Sequence, residues 1–348
     1  MTFKTNRRKF LAGTAAATAG LLAAPAILRA AETIKLDISH YLPPTHGIEV
    51  DMLRPWAEEL REKSNGQVDF EIHNVSSAYG RLDRQADQVR AGVVDVGFGL
   101  AGIPRGRFPH TSVIELPFVV ERAEAGSRAL WELYQTGQLG GEYDGFKVLG
   151  LMTHHGALFH TVDRPIKQLS DLKGLRIRSP GPAVNAMLEF EGASAIGMPP
   201  SQIYEALQKG ALDGVATTWD LVGAIKLNEV LKYHTDARVY AAAFYIVMNQ
   251  DTYNGLPENV RTIIDETTGE AWQSKIGPWW DKWDAAGKQD AIDRGQEIIV
   301  IDDATRDQWR QQLEPMINSY LDGLKSEGVE DPQKLYETTR ELVQKYQS

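Results

Sequence analysis

The 348-residue sequence predicts an α/β fold of two similarly built lobes facing a shared cleft, and three observations carry that prediction. Strand-period and helix-period segments alternate along most of the chain. Val89-Arg90-Ala91-Gly92-Val93-Val94-Asp95-Val96-Gly97 is echoed by Leu207-Gln208-Lys209-Gly210-Ala211-Leu212-Asp213-Gly214-Val215 in one order: helix end, glycine cap, two small or apolar residues, aspartate, strand. Two apolar segments, 147–152 and 239–248, fit no simple alternation and read as crossings out of the first lobe and back. A helical pattern over 257–296, roughly 55 Å if unbroken, is long enough to span both lobes.

The chain opens on Asn6-Arg7-Arg8-Lys9-Phe10-Leu11, a twin-arginine pattern, followed by an Ala/Leu/Gly run to Ile27 and small residues at Ala30-Ala31. Gly13, Gly20 and Pro25 interrupt that run and argue against a membrane span. Residues 1–31 are therefore read as a signal for twin-arginine export to a bacterial periplasm. A strand at 34–39 follows, with Ile34, Leu36 and Ile38 on one face. The helix expected over 47–64 carries Val50, Leu53, Trp56 and Leu60 on one stripe, and Pro55 implies a kink or a late start. A strand at 68–72, a helix at 82–91 and a buried strand at 93–98 complete the first series. The second series has a strand at 175–178, a helix at 183–191, a short strand, a helix at 201–209 and a strand running from Leu212 towards Trp219. The long helix, with Trp272, Ile276, Trp279 or Trp280, and Trp283 as its stripe, is kinked by Pro278, and its tryptophans are read as packing. A strand at 297–301 and helices at 305–326 and 332–346 end the chain. Lobe one is assigned to 32–153 plus about 244–283 and lobe two to 154–243 plus about 284–325. Residues 326–348 form a terminal helix.

Composition narrows the function. Hydrophobic residues at 43% and charged residues at 24% are those of a soluble globular chain. There is no cysteine, which excludes disulfides and thiolate metal or redox sites. The formal net charge is −10, and the signal contains Lys4, Arg7, Arg8, Lys9 and Arg29 but no acid, so its removal makes the remainder more acidic. Such a surface repels nucleic acid and anionic membrane. An anionic ligand needs a local arginine, whereas a cationic or zwitterionic one does not.

Ser179-Pro180-Gly181-Pro182 stops the 175–178 strand and leaves Arg178 at its C-terminal end, where open α/β sheets place ligands. Thr217-Thr218-Trp219-Asp220 ends the next strand at the same edge. A guanidinium fork facing two hydroxyls and an indole suits a small carboxylate. Other motifs fail. Gly97-Phe98-Gly99-Leu100-Ala101-Gly102 matches a dinucleotide fingerprint by letter, but Ile103-Pro104-Arg105-Gly106 breaks the helix it needs. Gly192-Ala193-Ser194-Ala195-Ile196-Gly197 is one residue too long for a nucleophile elbow. His154, His155 and His160 lack a spaced carboxylate, and Glu58-Glu59 and Asp302-Asp303 read as solvated charge. No catalytic constellation, metal site or cofactor is expected.

Asp171-Leu172-Lys173-Gly174-Leu175-Arg176-Ile177-Arg178, Ser201-Gln202-Ile203-Tyr204-Glu205-Ala206-Leu207-Gln208-Lys209-Gly210 with Asp213-Gly214, Arg105-Gly106-Arg107-Phe108-Pro109 and Glu115-Leu116-Pro117-Phe118 together resemble the solute-binding subunits of tripartite ATP-independent periplasmic (TRAP) transporters. The resemblance covers essentially the whole chain after the signal. It implies a periplasmic binding protein with hinge strands and a lobe-spanning helix that closes on a small organic acid and docks on membrane permease subunits, as a monomer or as a homodimer through its C-terminal helices. It places the family's carboxylate-pairing arginine on Arg178 and a ligand-contacting asparagine position on Thr217. A second arginine of sugar-acid binders falls on Leu158, and Trp219 suggests an apolar or onium part packed on an indole. With Thr218, the first-lobe candidates His40, Tyr41, Ser77, Tyr79 and Phe98, chosen by position at strand ends, and His155 complete the expected site. An amine, a zwitterion or a sulfonate is the alternative ligand, and a periplasmic enzyme the alternative class.

Overall fold

The computed structural model describes residues 33–347, and the twin-arginine segment lies outside the described residues. These residues build two sheets flanked by helices. The first sheet contains β1 (Ile34–Ser39), β2 (Val68–His73), β3 (Val96–Leu100), β4 (Phe146–Thr153) and β10 (Ala243–Asn249), in the order β2-β1-β3-β10-β4. The second contains β5 (Leu158–Thr161), β6 (Arg176–Ser179), β7 (Ser194–Gly197), β8 (Gly214–Thr217), β9 (Tyr233–Asp236) and β11 (Glu297–Val300), in the order β11-β9-β5-β8-β6-β7. β1 lies parallel to β2 and β3, and β6 lies parallel to β7 and β8. The returning strand β10 is antiparallel to both of its neighbours.

The sequence echo has a structural counterpart. Gly92 and Gly210 both close their helices at positive φ, 66° and 67°. Asp95 then accepts the Asp37 amide at 2.8 Å, and Asp213 accepts the Arg176 amide at 2.7 Å, so each aspartate clips its strand to the adjacent one. The β4-to-β5 and β9-to-β10 connections run side by side, with Ala157 N donating to Tyr240 O at 2.7 Å and Val239 N to Ala157 O at 3.2 Å. This paired segment is the hinge that the fold class requires.

Three elements depart from expectation for local reasons. The first helix opens as a wide π-type turn at Ile48–Leu53 and becomes α-helical only at Arg54–Lys63, where Pro55 is tolerated in the first turn. The wider turn rotates Val50 out to 44% exposure while Leu53, Trp56 and Leu60 stay buried. The expected long helix is two: Glu258–Thr267, and Glu270–Asp293, which at 24 residues is roughly 36 Å long. The Thr268 hydroxyl bonds back to Ile264 O, and Gly269 at φ 59° turns the chain between them. The Glu270–Asp293 helix still touches both halves, through Trp283 Nε1 to Asp51 Oδ2 at 2.8 Å and through Asn228 Nδ2 to Gly287 O at 2.9 Å. The third departure is β8, which stops at Thr217 and is followed by a helix, Trp219–Ala224. The C-terminal helix Pro332–Gln347 packs on Ala123–Gln135 of its own chain, where the Tyr346 hydroxyl donates to Glu132. Among the described residues, no helix is long and apolar enough to cross a membrane.

The halves approach closely where Gly102, after β3, faces Gly181, after β6. A Cβ on Gly102 would stand 3.1 Å from Gly181 Cα and 3.4 Å from Glu115 Oε2. Glu115 is buried and accepts the Ala243 amide at 2.9 Å. Burial pushes its carboxyl up to about 7, against the partial relief of that hydrogen bond.

Two predictions follow from this packing. Gly287→Ala would stabilise an exposed helix by about 1 kcal/mol, but here its Cβ would lie 1.9 Å from Trp219 O. It should therefore lower stability by about 1–3 kcal/mol, measured as a fall in Tm. Because the folded Glu115 carboxyl titrates above the ordinary value of 4.5, its contribution is complete below that value and is lost as pH rises through about 7. The loss is on the order of 3 kcal/mol. Melting at pH 5 and pH 8 should show a smaller decline for Glu115→Gln than for the wild type.

Candidate ligand site

Between the two sheets lies a cavity of about 50 Å³, room for roughly four water molecules. Its polar lining is His46, His154, Arg178, Thr217, Thr218 and Asp220, and the rest is apolar or aromatic. For scale, an apolar cavity that takes up benzene has about 150 Å³. The space here is about a third of that, so a single ring would enter only if the lining gave way or the halves parted.

Arg178 is the third residue of β6, and strand alternation together with the stop at Ser179-Pro180 turns it into the space between the sheets. It is 3% exposed. Its Nε donates to Met198 O at 3.2 Å, and among the described residues no other hydrogen bond and no ion pair holds it. Burial lowers the guanidinium from its ordinary value, opposed among the described residues by the Tyr240 and Tyr41 hydroxyls. Those two phenols are themselves pushed up by burial and stay neutral donors. The Tyr240 hydroxyl is buried without a hydrogen-bond partner.

The wall beside Arg178 is a continuous aromatic stack. Tyr41 stacks on Phe98 at 5.8 Å, Phe98 on Phe244 at 5.5 Å and Phe244 on Trp280 at 5.8 Å between ring centroids. His154 lies against Phe244 and Trp280, with Nδ1 facing His155 O at 2.5 Å and Nε2 accepting the Ala242 amide at 2.9 Å. Burial lowers its pKa to about 4, so it is a neutral, fixed part of the wall.

Of the residues expected from sequence, Arg178, Thr217, Thr218, Tyr41 and Phe98 line this cavity and the others do not. Trp219 is the first residue of its helix and not the end of a strand, so its ring turns back between His160 and His234, with centroids 4.9 and 4.6 Å away. His40 points into the first half, its Nδ1 accepting the Leu42 amide and its Nε2 lying 2.9 Å from Glu49 Oε2. Ser77 accepts the Tyr79 amide within its own turn, and Tyr79 is exposed with its ring against His73. His155 accepts the Ala123 amide and lies 3.2 Å from Asp281. Leu158 is buried in the β5–β8 pairing, opposite Thr217.

Sequence reasoning missed His46, His154, Asp220, Tyr240, Phe244 and Trp280. Asp220 adjoins a quartet already singled out, and Tyr240 and Phe244 sit in the crossing segment, whose face could not be assigned by period. The one compact His/carboxylate group among the described residues, Asp37, Glu71 and His73, lies on the outer strands of the first sheet beside the Lys35 ammonium, which already supplies a positive charge.

Comparison with known proteins agrees with this architecture. Residues 38–322 match the family described as bacterial extracellular solute-binding protein, family 7. A TRAP solute-binding protein from Rhodoferax ferrireducens, crystallised with copurified benzoate, superposes with a TM-score of 0.85 at 33% identity over 90% of this chain and 99% of that one. A marine metagenome TRAP protein specific for aromatic acid ligands, solved with 3-hydroxybenzoate, gives 0.86 at 30% identity over 91% and 99%. The C4-dicarboxylate-binding periplasmic protein of Rhodobacter capsulatus is 28% identical over 76% of this chain and 79% of its own length. A two-sheet α/β fold with a buried, acid-free arginine between the sheets, matched over most of its length by these proteins, belongs to family 7 of the bacterial extracellular solute-binding proteins, the solute-binding proteins of TRAP transporters.

Proposed function

We propose that this protein captures a small aromatic carboxylate, one ring with one carboxyl group, and delivers it to the permease subunits of a TRAP transporter. The carrying observation is Arg178, a buried guanidinium with a single carbonyl partner, opening on a stack of four aromatic rings. The ligand carboxylate takes the free edge of the guanidinium and accepts the unpaired Tyr240 hydroxyl. Its ring lies against Phe244 and Trp280, where offset stacking adds to the burial of apolar surface. Solved relatives at 33% and 30% identity hold benzoate and 3-hydroxybenzoate, which supports the aromatic class for this chain.

The action is capture without turnover. A ligand that bridges the halves favours the closed state by its differential affinity for it. The twin-arginine signal and the periplasmic relative support export to the periplasm, with the permease as membrane partner.

Titration calorimetry with benzoate should show micromolar or tighter binding for the wild type, together with a change in tryptophan fluorescence from Trp280. Arg178→Ala should weaken binding by about 2–5 kcal/mol, because a buried carboxylate is left without its partner. Unchanged affinity in that variant would remove the basis of the proposal. Tyr240→Phe should leave Tm unchanged or higher, since it deletes a hydroxyl that has no partner, and should cost about 1 kcal/mol of affinity.

A further inference from the structure

Asp220 is the second charged group lining the cavity, and capture of a simple carboxylate leaves it without a role. It follows Thr218, which caps the Trp219–Ala224 helix, so the turn that hides Trp219 is also the turn that brings Asp220 to the cavity. Thr218 Oγ1 donates to Oδ1, and His46 Nε2 lies 3.0 Å from Oδ2. His46 Nδ1 accepts the Ile48 amide at 3.1 Å, which directs the Nε2 proton at Asp220. Each carboxylate oxygen therefore takes one protein donor, whereas two oxygens offer about four lone-pair sites. Burial by itself raises the Asp220 carboxyl, but the His46 and Thr218 hydrogen bonds outweigh it and hold the group below its ordinary value. Neighbouring Asp284 moves the other way, its carboxyl raised by burial and then by the Asp220 charge.

Arg178 and Asp220 do not neutralise each other, since their partners are Met198 O on one side and Thr218 and His46 on the other. Tyr41, Tyr240 and His154 each feel both charges, which places these aromatic groups in reach of the two poles. A buried carboxylate with spare lone pairs in a small apolar space disfavours a purely apolar ring edge, which would strip its remaining hydration and return nothing. It favours a ligand that brings a hydrogen-bond donor of its own.

We infer that Asp220 is a specificity-determining residue that accepts a hydrogen bond from a hydroxyl group on the ring of the aromatic carboxylate, so that the ligands preferred by this protein are hydroxylated aromatic acids. The inference rests on the proposed aromatic carboxylate function and adds the second pole. Arg178 selects the carboxyl group, the ring stack selects the plane, and Asp220, oriented by Thr218 and His46, selects the donor. A methoxy group of similar position has an oxygen but no proton, and would set lone pair against lone pair.

The test compares benzoate with 2-, 3- and 4-hydroxybenzoate and the matching methoxybenzoates, by calorimetry, on wild type and Asp220→Asn. For the wild type, at least one hydroxy isomer should bind about tenfold or more tightly than benzoate, the increment of a hydrogen bond to a charged group. Its methoxy counterpart should bind more weakly than benzoate. In Asp220→Asn the ratio of hydroxybenzoate to benzoate affinity should fall to within about threefold, and because the readout is a ratio, any general effect of the substitution on closure cancels. Hydroxybenzoates that bind the wild type no better than benzoate would overturn the inference and leave the aromatic carboxylate function standing. A preference that survives in Asp220→Asn would remove Asp220 from the recognition. Tighter binding of 3- or 4-aminomethylbenzoate than of any hydroxy isomer would make Asp220 the counter-ion of an ammonium and would likewise overturn it. Failure of every one of these acids to bind the wild type would overturn the underlying function as well.

Discussion

A guanidinium that is 3% exposed, held by one carbonyl and paired with no acid, is a charge kept out of water without a counter-ion. Burying an ion costs several kcal/mol unless its partner is buried with it. The closed arrangement, with Gly102 against Gly181 and His46 against Asp220, is therefore incomplete on electrostatic grounds. On the proposed reading an anion between the sheets would complete it. The same charge exposed in an open cleft would be hydrated and would gain little from a ligand. Arg178 would then convert ligand binding into a preference for closure, because a charge pair strengthens as water leaves.

That constraint explains the rest of the lining. A carboxylate and a guanidinium pair best where the surroundings cannot compete for their hydrogen bonds, and the cavity meets this with aromatic rings and a histidine whose two nitrogens are already committed to backbone groups. His154 adds no charge, and Asp220 is the one carboxylate among the residues that line the cavity. The cavity is electrically sparse by construction, and each of its two charges stays available to the ligand.

Much of this was legible in the sequence where a backbone signal fixed a direction. Arg178 could be placed because Ser179-Pro180-Gly181-Pro182 ends its strand at once, and Thr217 because its strand ends at the same edge. The paired Gly-x-x-Asp segments announced two similar halves because the glycine caps and the aspartate clips are local devices. Trp219 went astray by a change of period. The strand was carried past Thr217, whereas Thr218 precedes a helix, and the shift from a two-residue to a 3.6-residue repeat turned the indole inward and Asp220 to the cavity. Val50 failed for a related reason, since a π-type turn does not keep the helical stripe. Trp280 was invisible because the long helix buries Trp272, Trp280 and Trp283 alike, and only the tertiary position of one of them meets the cavity.

The aromatic wall is carried mainly by the first sheet, where β3 and β10 are hydrogen-bonded neighbours. Phe98 belongs to β3, Phe244 to the returning strand β10 just past the hinge, Tyr240 to the hinge itself, and Trp280 to the helix that touches both halves. A wall on one half could hold a ring with the halves apart or together, so the ring alone would shift nothing. On the proposed reading the carboxylate would engage Arg178 of β6 in the second sheet, so contact with both the wall and the guanidinium would be complete only when the halves come together. In that reading the ion pair across the cleft, rather than the stacking on one side of it, would couple capture to closure.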